Sequence, residues 1–215
     1  MTPDPLLAIC DVCYRLHARN LLAAADGNVS VALEDGRIAI TPSGVAKARL
    51  RPEDLAFLDR DGQVLAGRPS TERLMHLAVY RTCPEARAVV HAHPPTAIAW
   101  SLAYPELAFL PTDALPELIL AAGRIPIAPY ARPGTAAMGD HLVPLLPEHR
   151  LLILARHGAL AWGESLEEAY NGLERLEHAC QILKAAQDLG GAKSLPEPEL
   201  HALRQARLQA GRKLL

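Results

Sequence analysis

The stretch RAVVHAHPPTA, residues 87–97, sets His91 and His93 two apart at the end of an apolar run, with two prolines directly after. In a strand, residues i and i+2 point to one face, so both imidazoles share it. Two rings placed this way can reach a single ion at about 2.0–2.1 Å, which makes half of a zinc site. The third ligand comes from elsewhere, and His157 in ARHGAL is the candidate. It ends a second apolar run, LLILA, and Gly158 after it permits close approach of the backbone. Taken alone, the HxH pair reads equally as polar strand caps facing water. The remaining histidines, His17, His76, His141, His149, His178 and His201, fall on helical or loop stretches and default to the surface.

Three turns rich in small polar residues are the second feature: Gly27-Asn28 with Ser30, Thr41-Pro42-Ser43-Gly44, and Pro69-Ser70-Thr71-Glu72. Each can offer backbone N–H groups and hydroxyls to a phosphate without side-chain charge. Ser70 and Thr71 stand where a helix begins, and the helix dipole adds to the attraction. Each turn is also explained by capping and chain reversal alone. Glu72 lies just inside the helix start, where a carboxylate ordinarily complements the dipole. Beside a metal and a phosphorylated substrate it is a candidate general base.

The elements that position these residues follow from the pattern of apolar side chains. Helical spacing runs over about residues 5–25 and ends near Asp26-Gly27. NVSVAL and IAIT alternate on either side of Asp35-Gly36, a hairpin signal, and a second strand pair flanks Asp61-Gly62. Helices are expected over 71–81, after the prolines at 94–95, over LPTDALPELILAAG, over HLVPLLPEHR and over ESLEEAYNGLERLEHACQILKAAQDLGG, with a short terminal helix and loose end in the tail. AVVHAH, RIPIA and RLLILARHGALAWG supply strands. Strands interleaved with helices, with hairpins early in the chain, predict one α/β domain over 1–215, its core about 5–190, around a mixed, mainly antiparallel sheet.

Composition narrows the class. The chain has 215 residues, half of them hydrophobic, and a net charge of −2, so no general basic field attracts nucleic acid or an acidic membrane. The N-terminus lacks a basic start and an apolar core, and no apolar run reaches about 18 residues, so neither a secretory signal nor a membrane span is expected. Four scattered cysteines do not make a disulfide framework, which points to a reduced cytoplasmic setting. Cys10 and Cys13 fall on one face of a helix, where core packing accounts for them better than redox chemistry.

The ordered set GNVS, ITPSG, PSTE, HAH, APYARPGT and RHG, over about residues 6–189, resembles the class II aldolase/adducin family, and most closely its members that cleave L-fuculose 1-phosphate. The resemblance implies an α/β/α fold and a C4 homotetramer with active sites between subunits. It implies a zinc ion on His91, His93 and His157, with manganese, cobalt or iron able to use the same ligands. Glu72 resembles the catalytic acid/base, which also ligates the metal without substrate, and Gly27, Asn28, Ser43, Gly44, Ser70 and Thr71 fall at phosphate-holding positions. The activity implied is cleavage of a ketose 1-phosphate, such as L-fuculose 1-phosphate or a 5-deoxy-pentulose 1-phosphate, into dihydroxyacetone phosphate and an aldehyde through an enediolate. The alternatives within the family are decarboxylation of a 3-oxo-tetronate phosphate, 4-epimerisation of a pentulose phosphate, and a non-catalytic adducin-like role. The sequence departs from the resembling aldolases at Ala25, where they have threonine, and at Glu117, where they have a tyrosine donated across the interface. Their second, C-terminal tyrosine has no counterpart in QARLQAGRKLL. Glu117 is a candidate to take over the proton transfer, with Tyr130 as a substitute.

Overall fold

The computed structural model describes residues 4–214. Met1, Thr2 and Pro3, part of the N-terminal stretch discussed above, and Leu215 in the tail lie outside the described residues. The strands are β1 (Asn28–Ala32), β2 (Ile38–Ile40), β3 (Ala56–Leu58), β4 (Val64–Ala66), β5 (Ala88–Ala92), β6 (Ile127–Ala128), β7 (Leu151–Leu154) and β8 (Gly158–Gly163). The helices are α1 (Pro5–Ala18), α2 (Arg73–Thr82), α3 (Pro95–Ala103), α4 (Pro116–Ala122), α5 (Ala137–Leu142), α6 (Leu166–Asp188) and α7 (Glu197–Ala210). The strands form one sheet in the order β4-β3-β2-β1-β5-β8-β7-β6. Every pairing is antiparallel except β6 with β7, so the sheet is mixed and mainly antiparallel, as the early hairpins predict.

β5, β7 and β8 are buried along their whole lengths, which is why their sequences read as continuous apolar runs. One face of the sheet packs Val89, Leu152, Leu160 and Trp162 beneath α2 and α5. The other packs Val29, Val90, Ile153, Ala159 and Ala161 beneath α1, α3 and α6. Both faces are therefore covered, giving an α/β/α sandwich. Ser165 caps α6 by accepting from the Glu168 N–H at 3.1 Å, and Glu177 within α6 accepts from the Thr96 and Ala97 amides at the start of α3.

The structure revises several boundaries. α1 stops at Ala18 rather than near Ala25, because Asn20 and Ala24 take left-handed backbone conformations. Leu21 and Leu22 are nevertheless buried, as loop residues, and their burial imitates a longer amphipathic helix. The helix expected over LPTDALPELILAAG shortens to Pro116–Ala122, begun by proline and stopped by Gly123 at φ +72°. The helix expected over HLVPLLPEHR lies earlier, at Ala137–Leu142, since Pro144 and Pro147 supply no N–H to continue it. The tail is a 14-residue helix with a secured end. Arg207 donates to the carbonyls of Leu120, Arg212 and Lys213, and Leu214 is buried against Gly172. Cys13 packs in the core with Cys10 at its edge, in line with the packing account of that pair.

Candidate active site

β5 and the β7–β8 turn deliver three imidazoles to one end of the sheet. His91 is in the last turn of pleat of β5, His93 lies just beyond it, and His157 sits in the tight turn before β8. That turn needs Arg156 at φ +63°. Their ligand nitrogens all lie within 4.8 Å of one another. The His91 Nδ1–H donates to the Ala159 carbonyl at 2.9 Å, so its Nε2 lone pair faces the other two rings. His93 turns Nδ1 toward the Asp26 carboxylate at 3.6 Å and Nε2 toward His91 Nε2 at 3.2 Å. Burial, with His91 and His157 close by, lowers the His93 pKa to about 3, so this ring is neutral at pH 7. The buried Nε2 of His157 makes no hydrogen bond of good geometry. Three ring nitrogens converge on one point, where a divalent cation can accept their lone pairs. The residues fit a metal.

Glu72 closes the fourth side. Its Oε1 lies 3.0 Å from His157 Nε2, and its Oε2 lies 3.3 Å from His91 Nε2. Oε2 also accepts from the Asn28 amide Nδ2 at 2.9 Å. Burial on its own raises a carboxyl pKa, but the close His157 and His91 rings and the hydrogen bond from Asn28 outweigh it and hold Glu72 below the usual range. Glu72 occupies the capping position before α2 but makes no side-chain bond to that helix; its oxygens turn to His157, His91 and Asn28 instead.

The two turns at 41–44 and 69–72 are stitched together. The Ser43 N–H donates to the Arg68 carbonyl and the Ser70 N–H to the Thr41 carbonyl, at 3.0 and 3.1 Å. These two amides are thereby removed from the set expected to face a phosphate. Ser70 Oγ accepts from the Glu72 N–H, and the Asn28 side chain is engaged by Glu72 and His76. Among the described residues, the amides of Gly27, Gly44 and Thr71 are left without a partner. Gly44 (φ +73°) and Thr71 are exposed, whereas Gly27 (φ +68°) is buried against the His91 carbonyl, where a Cβ would come within 2.7 Å.

Residues 7–183 match the Class II Aldolase and Adducin N-terminal domain. The chain belongs to this family. It is 36% identical over 171 residues to the 3-oxo-tetronate 4-phosphate decarboxylase of Escherichia coli, covering 77% of this chain and 79% of the relative. It is 32% identical over 197 residues to the 5-deoxy-D-ribulose 1-phosphate aldolase of Bacillus thuringiensis, covering 88% of each. A solved L-fuculose 1-phosphate aldolase superposes with a TM-score of 0.84 at 27% identity, over 95% of this chain and 96% of that one.

This family member does not gather all of its expected site residues at the histidines. Glu117 is exposed in the first turn of α4. It lines a groove of about 700 Å³ with Arg19, Glu174, Arg175 and His178, apart from the triad. Tyr130 is exposed in the loop after β6.

Two residues near the site carry more than the sequence pattern assigned to them. His76 is fully buried rather than superficial, between Ser30 and Asn28. Its spacing from Glu72 and Tyr80, four residues each way, marks one helix stripe and is the signal that finds it. Lys47 is buried with Nζ donating to the carbonyls of Ala25, Pro42 and Val45 at 2.9, 3.2 and 2.9 Å. It ties the loop before β1 to the turn at 41–44. A lone lysine beside a glycine-containing turn gives no sequence signal of this role.

Proposed function

We propose that this chain is a metal-dependent carbon–carbon lyase that decarboxylates a 3-oxo-tetronate 4-phosphate to dihydroxyacetone phosphate and carbon dioxide. We further propose that it acts as a single-domain subunit of a cytoplasmic C4 homotetramer, with one zinc ion per subunit on His91, His93 and His157. When bound, the ion supplies a Lewis acid that takes up negative charge on substrate oxygens. Phosphate is held at the stitched turns, where Gly44 and Thr71 retain free N–H groups and Ser43, Ser70 and Thr71 carry hydroxyls.

Such a substrate is a β-keto acid. The C1–C2 bond breaks, its electron pair passes to the C3 carbonyl as an enediolate, and carbon dioxide leaves. C2 then gains one proton, which Glu72 takes up from solvent and passes to that carbon. Asn28 holds that carboxylate beside the triad. The observation that carries the reading is the acid–base inventory: Glu72 faces the triad, while position 117 has glutamate in place of tyrosine. Carbon dioxide departs without surrendering a proton, so one acid–base group suffices. The named activity of the decarboxylase relative supports the same choice.

Aldol cleavage of a ketose 1-phosphate is the second reading, favoured by the aldolase relative and by a carboxylate at 117 able to accept the hydroxyl proton. Zinc-supplied enzyme should be offered the 3-oxo acid phosphate, L-fuculose 1-phosphate and 5-deoxy-ribulose 1-phosphate. Carbon dioxide and dihydroxyacetone phosphate from the first alone is the expected result. Dihydroxyacetone phosphate from a ketose, with no carbon dioxide from the acid, reverses the assignment.

A further inference from the structure

A line of buried polar groups leads away from Glu72 beneath α2. Asn28 Nδ2 is 2.9 Å from Glu72 Oε2, and Asn28 Oδ1 meets His76 Nε2. His76 Nδ1 is 2.7 Å from Ser30 Oγ, which is 2.8 Å from the Tyr80 hydroxyl. Asn28 and Ser30 are two apart on β1 and share a face, while Glu72, His76 and Tyr80 are four apart along one stripe.

The carboxylate decides the direction of every bond in the line. Glu72 only accepts, so Asn28 presents its NH₂ to it and its carbonyl oxygen to His76. His76 Nε2 must then carry the proton. Its Nδ1 accepts from the Ser30 hydroxyl, and the Ser30 oxygen accepts from Tyr80. The line is thus four donors in series, Tyr80 to Ser30 to His76 to Asn28 to Glu72, with no donor reversed.

We propose that His76 is a positioning residue, locked as the neutral Nε2–H tautomer, which holds the Asn28 amide so that its N–H stays on Glu72. Burial lowers the His76 pKa to about 3, with nearby His91 adding to the effect and Glu72 opposing it, consistent with a neutral ring. Without the Nε2–H, the Asn28 carbonyl oxygen loses its partner, and the amide, held by Glu72 alone, can swing away from the carboxylate. Glu72 would then lose a donor and its placement over the substrate carbon. The proposal rests on the reading of Glu72 as the acid–base group above.

Two measurements test it separately. In zinc-loaded, histidine-¹⁵N protein, the His76 ring should show a pyrrole-type Nε2 and a pyridine-type Nδ1; a protonated Nδ1 overturns the proposal without reference to any substrate. The second follows incorporation of solvent deuterium into dihydroxyacetone phosphate, which requires Glu72 but neither an aldehyde nor a 3-oxo acid. His76→Leu should lower the exchange kcat about 10- to 100-fold, the worth of a hydrogen bond to a charged group, with KM and zinc content little changed. His76→Gln, which keeps a donor toward Asn28, should recover most of that loss. Tyr80→Phe removes only the first donor and should cost about 2- to 5-fold. If turnover per zinc-loaded folded molecule is unchanged in His76→Leu while its Tm falls, the residue is structural only and the proposal fails. If His76→Leu does not fold, the tautomer and the Tyr80→Phe result decide. Should the wild-type enzyme exchange no deuterium, the enediolate reading fails instead, and the tautomer still judges the line.

Discussion

Gly158 offers a test of the triad that leaves every candidate ligand in place. A Cβ at this position would sit 2.5 Å from the Ala92 carbonyl oxygen and 2.9 Å from both His91 Cε1 and His93 Cδ2. Carbon–carbon contact is comfortable at about 3.5 Å, so Gly158→Ala must push the two rings outward by roughly 0.6 Å. Metal–ligand distances tolerate only about 0.2 Å. Zinc affinity should therefore fall about 10- to 100-fold, comparable to loss of a supporting contact behind a ligand. At saturating zinc that is about 1.4–2.7 kcal/mol less metal-linked stability. For a chain of this size the zinc-dependent rise in Tm should shrink by roughly 3–10 °C. The assay is a pair of melts with zinc and with chelator, alongside a competitive chelator titration. Overpacking lowers both melts by a common amount, so the difference between them is the quantity that matters. Gly67→Ala is the control, since its Cβ would meet Ala56 Cα at 2.9 Å at φ +75°, in the β3–β4 pair. It should lower both melts and leave the zinc increment intact. An unchanged increment and affinity in Gly158→Ala would refute the metal geometry argued above.

Other substitutions separate the roles of the neighbouring residues. His93→Ala should lose zinc and turnover together, and one zinc per chain after dialysis would remove His93 from the ligand set. Glu72→Gln should keep zinc and phosphate binding but lose about 10²- to 10⁴-fold in kcat. Lys47→Met leaves the Ala25, Pro42 and Val45 carbonyls without their shared donor. About 2–4 kcal/mol should be lost in a denaturant melt, with a higher KM for phosphorylated substrates. Of the four thiols, Cys13 is pushed up to about 12 and Cys83 to about 11 by burial, and Cys180 is raised by the same cause. Only Cys10 is partly exposed, so at pH 8 at most one thiol per native chain should react with a disulfide reagent. Rapid reaction of two thiols with formation of a Cys10–Cys13 bridge would revive the redox account.

The gathering of three histidines at one end of the sheet was legible because it depends on short-range rules. Alternation along AVVHAH puts two imidazoles on one face, and LLILA-RHG repeats the pattern of a buried strand that ends in histidine. The hairpins at Asp35-Gly36 and Asp61-Gly62 announce themselves through turn chemistry. What escaped notice depends on which groups already have partners. Nothing local distinguishes the Ser43 and Ser70 amides, which are used between the turns, from those of Gly44 and Thr71, which are free. Likewise, apolar residues at 21–22 satisfy a helical period while packing from a loop, and prolines at 144 and 147 relocate a helix that hydrophobicity alone would place over them. His76 looked superficial because its polar atoms are satisfied by Ser30 and Asn28, on a strand more than 40 residues earlier.

That distant strand also joins the histidine end of the sheet to Glu72. Asn28 pairs with His91 across β1 and β5, and Ser30 with Val89. A two-residue slip of β1 would preserve which face each side chain occupies, and most of the hydrophobic packing with it. It would also set Ser30, in place of Asn28, opposite His91, and remove the amide from Glu72. Side-chain alternation by itself therefore does not choose the working register. Gly27 contributes to that choice. Its missing side chain lets the chain enter β1 against the His91 carbonyl, and a Cβ there would collide with that oxygen and with Leu22. The GNVS motif is thus best understood as a register lock: glycine fixes where β1 begins, asparagine orients Glu72, and serine continues the donor line beneath α2.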